Sequence, residues 1–346
     1  MGKMLSKLVE GGAGGSAWAK EAKKDFEVRR FSLAGLEITG GYKLPSDATL
    51  AYKVLGSGSK LWVGGTSYGI THKEMEFLAD SAFDTKEYTM VFFNLLGNGV
   101  SYSPSTAKSK AEFPLGYEKG KVPTIGDNVK FQKMALDADE QLKGRQIDVV
   151  YGFSMGAMQA LEWARAYPDV VKYCIPVCGS SGCNLINRLL CDTLASSLMN
   201  PLSLKVNKLS TFGLIFSGWY VGPDFYRNEE YKAIGIDTLE DFETNFAIGY
   251  WANSDPDDLL AMLQTWRFTE PFTEAQCKAI KGPKVLLLPC STDTYFRVED
   301  IERLEQKFIP SSKLSVIKSN WGHLAGNPEQ LKSEFDFIKA ELKALL

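Results

Sequence analysis

A mostly parallel central sheet with helices on both faces and a helical cap inserted into it follows from three features of this 346-residue chain. Short, near-continuous apolar and β-branched runs recur along it, as strands covered on both faces read. Stretches with helical spacing lie between those runs, which makes the class α/β. The alternation then breaks over residues 179–283, which hold Trp219, Trp251 and Trp266 and read as mostly helical.

Residues 1–25 read as a flexible leader, because Gly11-Gly12-Ala13-Gly14-Gly15-Ser16 offers no apolar face. The leader lacks the apolar core of a secretory signal. It opens Met1-Gly2-Lys3-Met4-Leu5-Ser6, which fits the N-myristoylation pattern at Gly2 and gives a membrane-anchored alternative. The first part of the core, residues 26–178, begins with strand-like runs at 28–33, 36–42 and 50–55. Leu61-Trp62-Val63-Gly64-Gly65 is a strand feeding a glycine loop. Further strands are expected at 88–94, 147–153 and 173–178. A loose helical stripe covers 126–142. Residues 154–167 form a helix that stops before Pro168. In the cap, 238–248 and 256–266 read as helices. The second part of the core, 284–346, supplies strands at 285–290 and 314–317 and a helix at 299–308. It closes with a helix whose face is Leu331, Phe335, Ile338, Leu342 and Leu345.

Composition narrows the function classes. Hydrophobic residues at 45% and charged residues at 23% exclude a disordered or collagen-like chain. The net charge of −3 gives no overall basic footprint for nucleic acid. No uncharged run reaches the length of a transmembrane helix. The only histidines are His72 and His323, so a multi-histidine metal site is hard to build and no metal is assigned. Six cysteines form no C-x-x-C pair and read as buried, reduced thiols of a cytoplasmic protein. Dinucleotide and Walker motifs are lacking, and no cofactor is needed.

The chemistry lies elsewhere. Gly152-Phe153-Ser154-Met155-Gly156 matches G-x-S-x-G between a strand and a helix, the place of a nucleophile elbow. A sharp turn lifts the serine hydroxyl above the sheet, and small residues two positions either side let neighbouring backbone approach. The Met155 N–H, at the helix start, points at a developing oxyanion. A serine hydroxyl needs a base, and His323 lies in a glycine loop between the last strand and the C-terminal helix. Asp293, just past the 285–290 strand, can orient that imidazole, with Glu299 and Asp300 as alternatives. The second oxyanion donor falls in the loop Gly65–His72, at Ser67 or the neighbouring Thr66. His72 reads as a structural residue of that loop. Tyr68, Trp219, Tyr226 and Trp251 are candidates to line the substrate site, as are Tyr220, Phe225 and Tyr250 in the same cap.

These segments carry a family resemblance. GFSMGAMQALEWARAYPDVV resembles the nucleophile segment of the homoserine O-acetyltransferase-like branch of the α/β-hydrolase superfamily. GTSYGITHKEMEFL, FFNLLGNGVSYSPS, STDTYFRVEDIERL and NWGHLAGNP are similar to other segments of that branch. The likeness runs from about residue 35 to the C-terminus and is weakest in the cap. It implies the α/β-hydrolase fold and a Ser154–Asp293–His323 triad, with N–H donors at Ser67 and Met155. The run from Cys178 to Asn184 departs from the transacetylases, and no arginine matches their substrate-binding one. The resemblance therefore speaks for the acyl-transfer machinery rather than for homoserine.

The expected activity is hydrolysis of a small-molecule ester or thioester through an acyl-Ser154 intermediate. One alternative is an O-acyltransferase that takes its acyl group from acyl-CoA. Another is lyase or condensation chemistry on the same triad, and the last is an idle interaction protein. A homodimer is compatible with the sequence.

Overall fold

The computed structural model describes residues 21–22, 24–109, 113, 120 and 122–346. The Gly2 pattern and the glycine run of the leader lie outside the described residues. The end of the leader is docked rather than loose: Ala22 is buried, and Asp25 pairs with Lys53 and Lys73 at 2.8 and 2.7 Å.

The near-continuous apolar runs become strands because each has two faces to bury. They are β1 (Arg29–Ser32), β2 (Thr49–Leu55), β3 (Lys60–Gly65), β4 (Tyr88–Phe93), β5 (Ile147–Phe153), β6 (Val171–Val177), β7 (Lys284–Leu287) and β8 (Ser312–Leu314). One sheet holds all eight in the order β1-β2-β4-β3-β5-β6-β7-β8. β2 pairs antiparallel with β1 and with β4, and every other pairing is parallel. Successive side chains point to opposite faces, so each strand feeds two cores. Trp62, Met90, Phe92, Val149 and Tyr151 enter one of them. Leu61, Val63, Val91, Phe93 and Val150 enter the other.

Two helices position the centre of the sheet. α1 (Ile125–Ala138) starts at a capping box, in which Thr124 and Asp127 satisfy each other's backbone N–H groups. α2 (Met155–Ala166) is buried along almost its whole length and packs on β5 and β6. Between β6 and β7 the chain leaves the sheet to form α3 (Leu185–Met199), α4 (Lys205–Tyr220) and α5 (Pro256–Arg267), with shorter turns between them. α6 (Lys332–Leu345) closes the chain and buries Ile338 and Leu342.

Five expected segments are corrected, the first being the strand at 314–317, which lies instead at Ser312–Leu314 with only an isolated bridge at Ile317. Residues 36–42 form no strand: the chain reverses through Gly41 at φ +82°, and only the bridge Glu37–Lys43 remains. β7 stops at Leu287, because Pro289 has no N–H to continue the ladder, and isolated bridges at Leu288 and Cys290 follow. The expected helices at 238–248 and 299–308 are partly π-helical, over Phe242–Ile248 and Glu302–Gln306. All six cysteines are free and buried. Among the described residues, no helix is long and apolar enough to cross a membrane.

Candidate active site

The turn from β5 into α2 puts Ser154 in a conformation few side chains adopt, with φ 57° and ψ −122°. Three bonds impose it. The Ser154 N–H donates to the Val177 carbonyl at 2.9 Å, and the Ala157 and Met158 N–H groups donate to the Ser154 carbonyl. Both flanking glycines are sterically required. A Cβ on Gly152 would lie 1.9 Å from the Gly156 carbonyl oxygen, and one on Gly156 would lie 2.5 Å from the Gly65 carbonyl oxygen. The second contact presses the start of α2 against the loop that leaves β3.

That loop is fastened from behind. The Thr66 N–H donates to the Phe93 carbonyl at 2.9 Å, so this amide is already committed. The Thr66 carbonyl accepts from Gln159 Nε2 at 2.8 Å. Gln159 Oε1 accepts from Gln132 Nε2, and Gln132 Oε1 accepts from Trp163 Nε1 at 2.8 Å. This buried chain ties α1 and α2 to the loop. Sequence reading missed it; the one available signal is a polar Gln159 on a helix that is otherwise buried along almost its whole length. Neither the Ser67 nor the Met155 N–H is taken by a protein acceptor among the described residues.

His323 lies in the turn Gly322–Gly326, which enters through Gly322 at φ +54°. Its Nδ1 is 2.7 Å from Asp293 Oδ2. The other oxygen of Asp293 accepts the Tyr295 and Phe296 N–H groups at 3.1 and 3.0 Å, which fixes the carboxylate. Rings of Phe153 and Tyr295, with centroids 4.6 and 4.3 Å from that of the imidazole, hold it in place. Ser154, Asp293 and His323 are all buried.

Ser154 and His323 face one cavity of about 1070 Å³, counting its open mouth, with Ser67, Tyr68 and Trp251 also on its wall. The rest of the lining is mainly aromatic, with Phe216 and Tyr220 contributed by α4. Among the described residues, the buried Tyr220 hydroxyl and the Gln330 side-chain amide on this wall have no protein hydrogen-bond partner. Each can therefore bond a polar group of a bound molecule. Trp219 and Tyr226, expected on the wall, are elsewhere. The helical turn that aims Phe216 and Tyr220 inward leaves Trp219 half-buried and off that face. The Tyr226 hydroxyl donates to the Ser217 carbonyl at 2.6 Å, and its ring packs on Phe225 and Phe242. Gln330 reaches the cavity unannounced by any motif, while Trp321 and Tyr295 reach it from the histidine and acid segments without having been read as wall residues.

His72 is not on the cavity wall. It is fully buried and bonded to Asn94, and burial pushes its pKa down, towards the neutral form. Asp25, His72 and Glu76 bring ligand atoms within 4.8 Å of one another. Lys53 and Lys73 already sit on Asp25, and Lys73 lies 3.2 Å from Glu76. Protein ammonium groups thus supply the positive charge a cation would bring.

Comparison with known proteins agrees with this architecture. The chain is 29% identical over 300 residues to an ethyl acetate hydrolase of Pseudomonas veronii, a match covering 81% of this chain and 83% of that one. It is 39% identical over 100 residues to a homoserine O-acetyltransferase of Symbiobacterium thermophilum, covering 29% and 25% of the two chains. The solved acetyl esterase MekB superposes with a TM-score of 0.84 at 26% identity, over 92% of this chain and 96% of that one. Residues 63–326 match the model of the alpha/beta hydrolase fold, and this chain belongs to that family.

Proposed function

We propose that the protein is a serine-dependent ester hydrolase that acts on small-molecule esters or thioesters through an acyl-Ser154 intermediate. The observation that carries the reading is the strained Ser154 turn, which opens into the same cavity as an imidazole whose Nδ1 is bound to Asp293. With Nδ1–H held by the carboxylate, Nε2 is left to take the proton of the Ser154 hydroxyl as the oxygen attacks the acyl carbon. The Ser67 and Met155 N–H groups receive the charge on the carbonyl oxygen. His323 then returns the proton to the leaving alcohol or thiol, and water repeats the sequence to free Ser154. Tyr68 and Trp251 shape an aromatic pocket suited to a compact apolar ester. Similarity to an ethyl acetate hydrolase, over 81% of this chain, favours this substrate class. Free, buried cysteines fit a reducing compartment such as the cytoplasm.

A second reading, transfer of an acyl group from acyl-CoA to an alcohol, is favoured by the transacetylase match. It shares the acylation half and replaces water with the acceptor. Two measurements test the proposal. Ser154→Ala should abolish cleavage of p-nitrophenyl acetate while the protein stays folded, and a fluorophosphonate should label the wild type at Ser154 alone. Full turnover by the variant rejects the nucleophile. CoA release from acetyl-CoA that depends on an added alcohol, without ester cleavage, moves the reading to the transferase.

A further inference from the structure

Two residues of the cavity wall show how its polar atoms are ordinarily satisfied. The Tyr68 hydroxyl donates to the Leu259 carbonyl at 3.2 Å, and Trp266 Nε1 donates to Asn187 Oδ1 at 3.2 Å. Tyr220 and Gln330 break that pattern. Tyr220 is 5% exposed and packs its ring on those of Phe216 and Phe246, yet its hydroxyl has no protein partner among the described residues. The oxygen and the nitrogen of the Gln330 amide are buried and equally unpartnered. Leaving buried polar atoms unpaired is costly, and a wall that keeps three of them is built for a molecule that pairs with them.

Their place in the fold says which end of an ester they meet. α4 ends at Tyr220, and the chain after it lies along the approach to His323. The Gly222 N–H donates to the Asn320 carbonyl at 2.9 Å, and a Cβ on Gly322 would lie 2.8 Å from the Tyr220 carbonyl oxygen. Gln330 lies in the segment that joins the His323 turn to α6, and Asn327 and Leu331 of that segment are also on the wall. Both groups thus belong to the side of the cavity that carries the imidazole. His323 has to reach the leaving oxygen to protonate it, so the alcohol half of the ester lies on that side.

The chemistry of the pair says what that half carries. A tyrosine hydroxyl donates or accepts, and a glutamine amide does both at once. Together they match a hydroxyl, which also donates and accepts. Among the described residues no lysine or arginine lines the cavity, and Glu329, exposed at its rim, is the one carboxylate on it. An anionic alcohol half would find no counter-charge there. Resting on the ester-hydrolase reading above, we propose that the substrate is an ester whose alcohol half carries a second, free hydroxyl, as a monoester of a diol does, and that Tyr220 and Gln330 bind this hydroxyl. This narrows the compact apolar ester of that reading: the aromatic wall takes its apolar part, and the two polar side chains take its end. At about 1070 Å³, counting its mouth, the cavity has room for such a group beyond an acetyl.

Ethylene glycol monoacetate and propyl acetate differ only in a hydroxyl in place of a methyl. The wild type should show a kcat/KM at least tenfold higher for the hydroxyl ester, because the propyl chain leaves the same buried groups unpaired. In a Tyr220→Phe/Gln330→Leu variant that ratio should fall at least tenfold. Gln330→Leu alone, in a half-buried position, should shift the ratio in the same direction and keeps the test valid if the double variant fails to fold. Binding is read without turnover in Ser154→Ala, through quenching of Trp251 and Trp321 on the wall. There the hydroxyl ester should bind at least tenfold more tightly than propyl acetate, and adding Gln330→Leu should remove most of the difference. A wild type that cleaves p-nitrophenyl acetate but treats the two esters alike overturns this proposal and leaves the hydrolase standing. A preference that survives in the folded double variant overturns it as well. A wild type that cleaves no ester, while Ser154→Ala still binds the hydroxyl compound tenfold more tightly, removes the hydrolase and leaves the hydroxyl subsite.

Discussion

Replacing Asp293 by asparagine tests the proposed triad most sharply, because the structure fixes how the amide must sit. One carboxylate oxygen accepts two backbone N–H groups, from Tyr295 and Phe296, and the other faces His323 Nδ1 at 2.7 Å. In Asp293→Asn the amide oxygen stays with the two donors, since the amide nitrogen placed there would meet two N–H groups head-on. The amide nitrogen then faces Nδ1. Two donors cannot face each other, so the imidazole gives up its Nδ1 proton and carries the proton on Nε2 instead. Nε2 can then no longer accept the serine proton. A wrong tautomer in this geometry costs about 10⁴ in kcat, equivalent to about 5 kcal/mol of transition-state stabilisation. The expected result is therefore a folded protein with an unchanged melting temperature and kcat down by about four orders of magnitude on p-nitrophenyl acetate. Asp293→Ala imposes no tautomer, so it should be no worse than the near-isosteric asparagine. An Asp293→Asn variant that keeps a tenth of wild-type kcat would refute the assignment of Asp293 as the residue that orients the base.

Two further outcomes concern the loop that supplies the Ser67 amide. Gln159→Leu strips the Thr66 carbonyl and the Gln132 side chain of their partners, and unfolding in denaturant should show a loss of about 1–3 kcal/mol. The same variant should lower kcat more than it raises KM, because the loop carries the proposed oxyanion donor Ser67; a change in KM alone would count against that. Glu74 sits at the far end of the loop, where its carboxylate accepts the Thr71 N–H at 2.9 Å and the Thr71 hydroxyl at 2.6 Å. Burial pushes its pKa up to about 7, against the pull of these hydrogen bonds. Between the ordinary carboxylate value and 7, the folded protein keeps a proton that the unfolded chain has released. Its contribution to stability is thus fully present at the acid end and falls by about 3 kcal/mol as pH rises to 7. Glu74→Gln should flatten the pH dependence of unfolding over that window by this amount; an unchanged slope would show that Glu74 is not its source.

Much of the architecture was legible because it rests on local rules. The strands at 50–55, 61–65, 88–94, 147–153 and 173–178 stand within a residue or two of their observed spans, since each needs only an apolar run bounded by turn residues. The Ser154 turn was equally visible, because a side chain held at positive φ between close-packed backbones demands glycine two positions either side. Asp293 and His323 could be named from their places after strands, and the structure brings them within 2.7 Å. Sequence reading favoured Ser67 over Thr66 as the second donor, but it could not supply the packing reason. The choice turns on which amide the neighbouring strand consumes, and the Phe93 carbonyl consumes that of Thr66.

The cap resisted the same treatment. Its aromatic residues are so dense that composition does not separate wall from filling: Trp251 reaches the cavity, while Trp219 and Tyr226 do not. That sorting depends on the rotation of α4 and on where the segment before Trp251 widens into a π-helix, neither of which has a local signature. By itself, then, the sequence determined the alternation of layers, the strained serine turn and the identity of the residues able to act as base and orienter. Those features follow from backbone sterics and side-chain chemistry within a few residues. The tertiary structure decided which amides are left without a protein acceptor, which aromatic rings line the cavity and which apolar face of the cap remains uncovered. Each of these is a contact between segments far apart in the chain, set by packing that no short window of residues encodes.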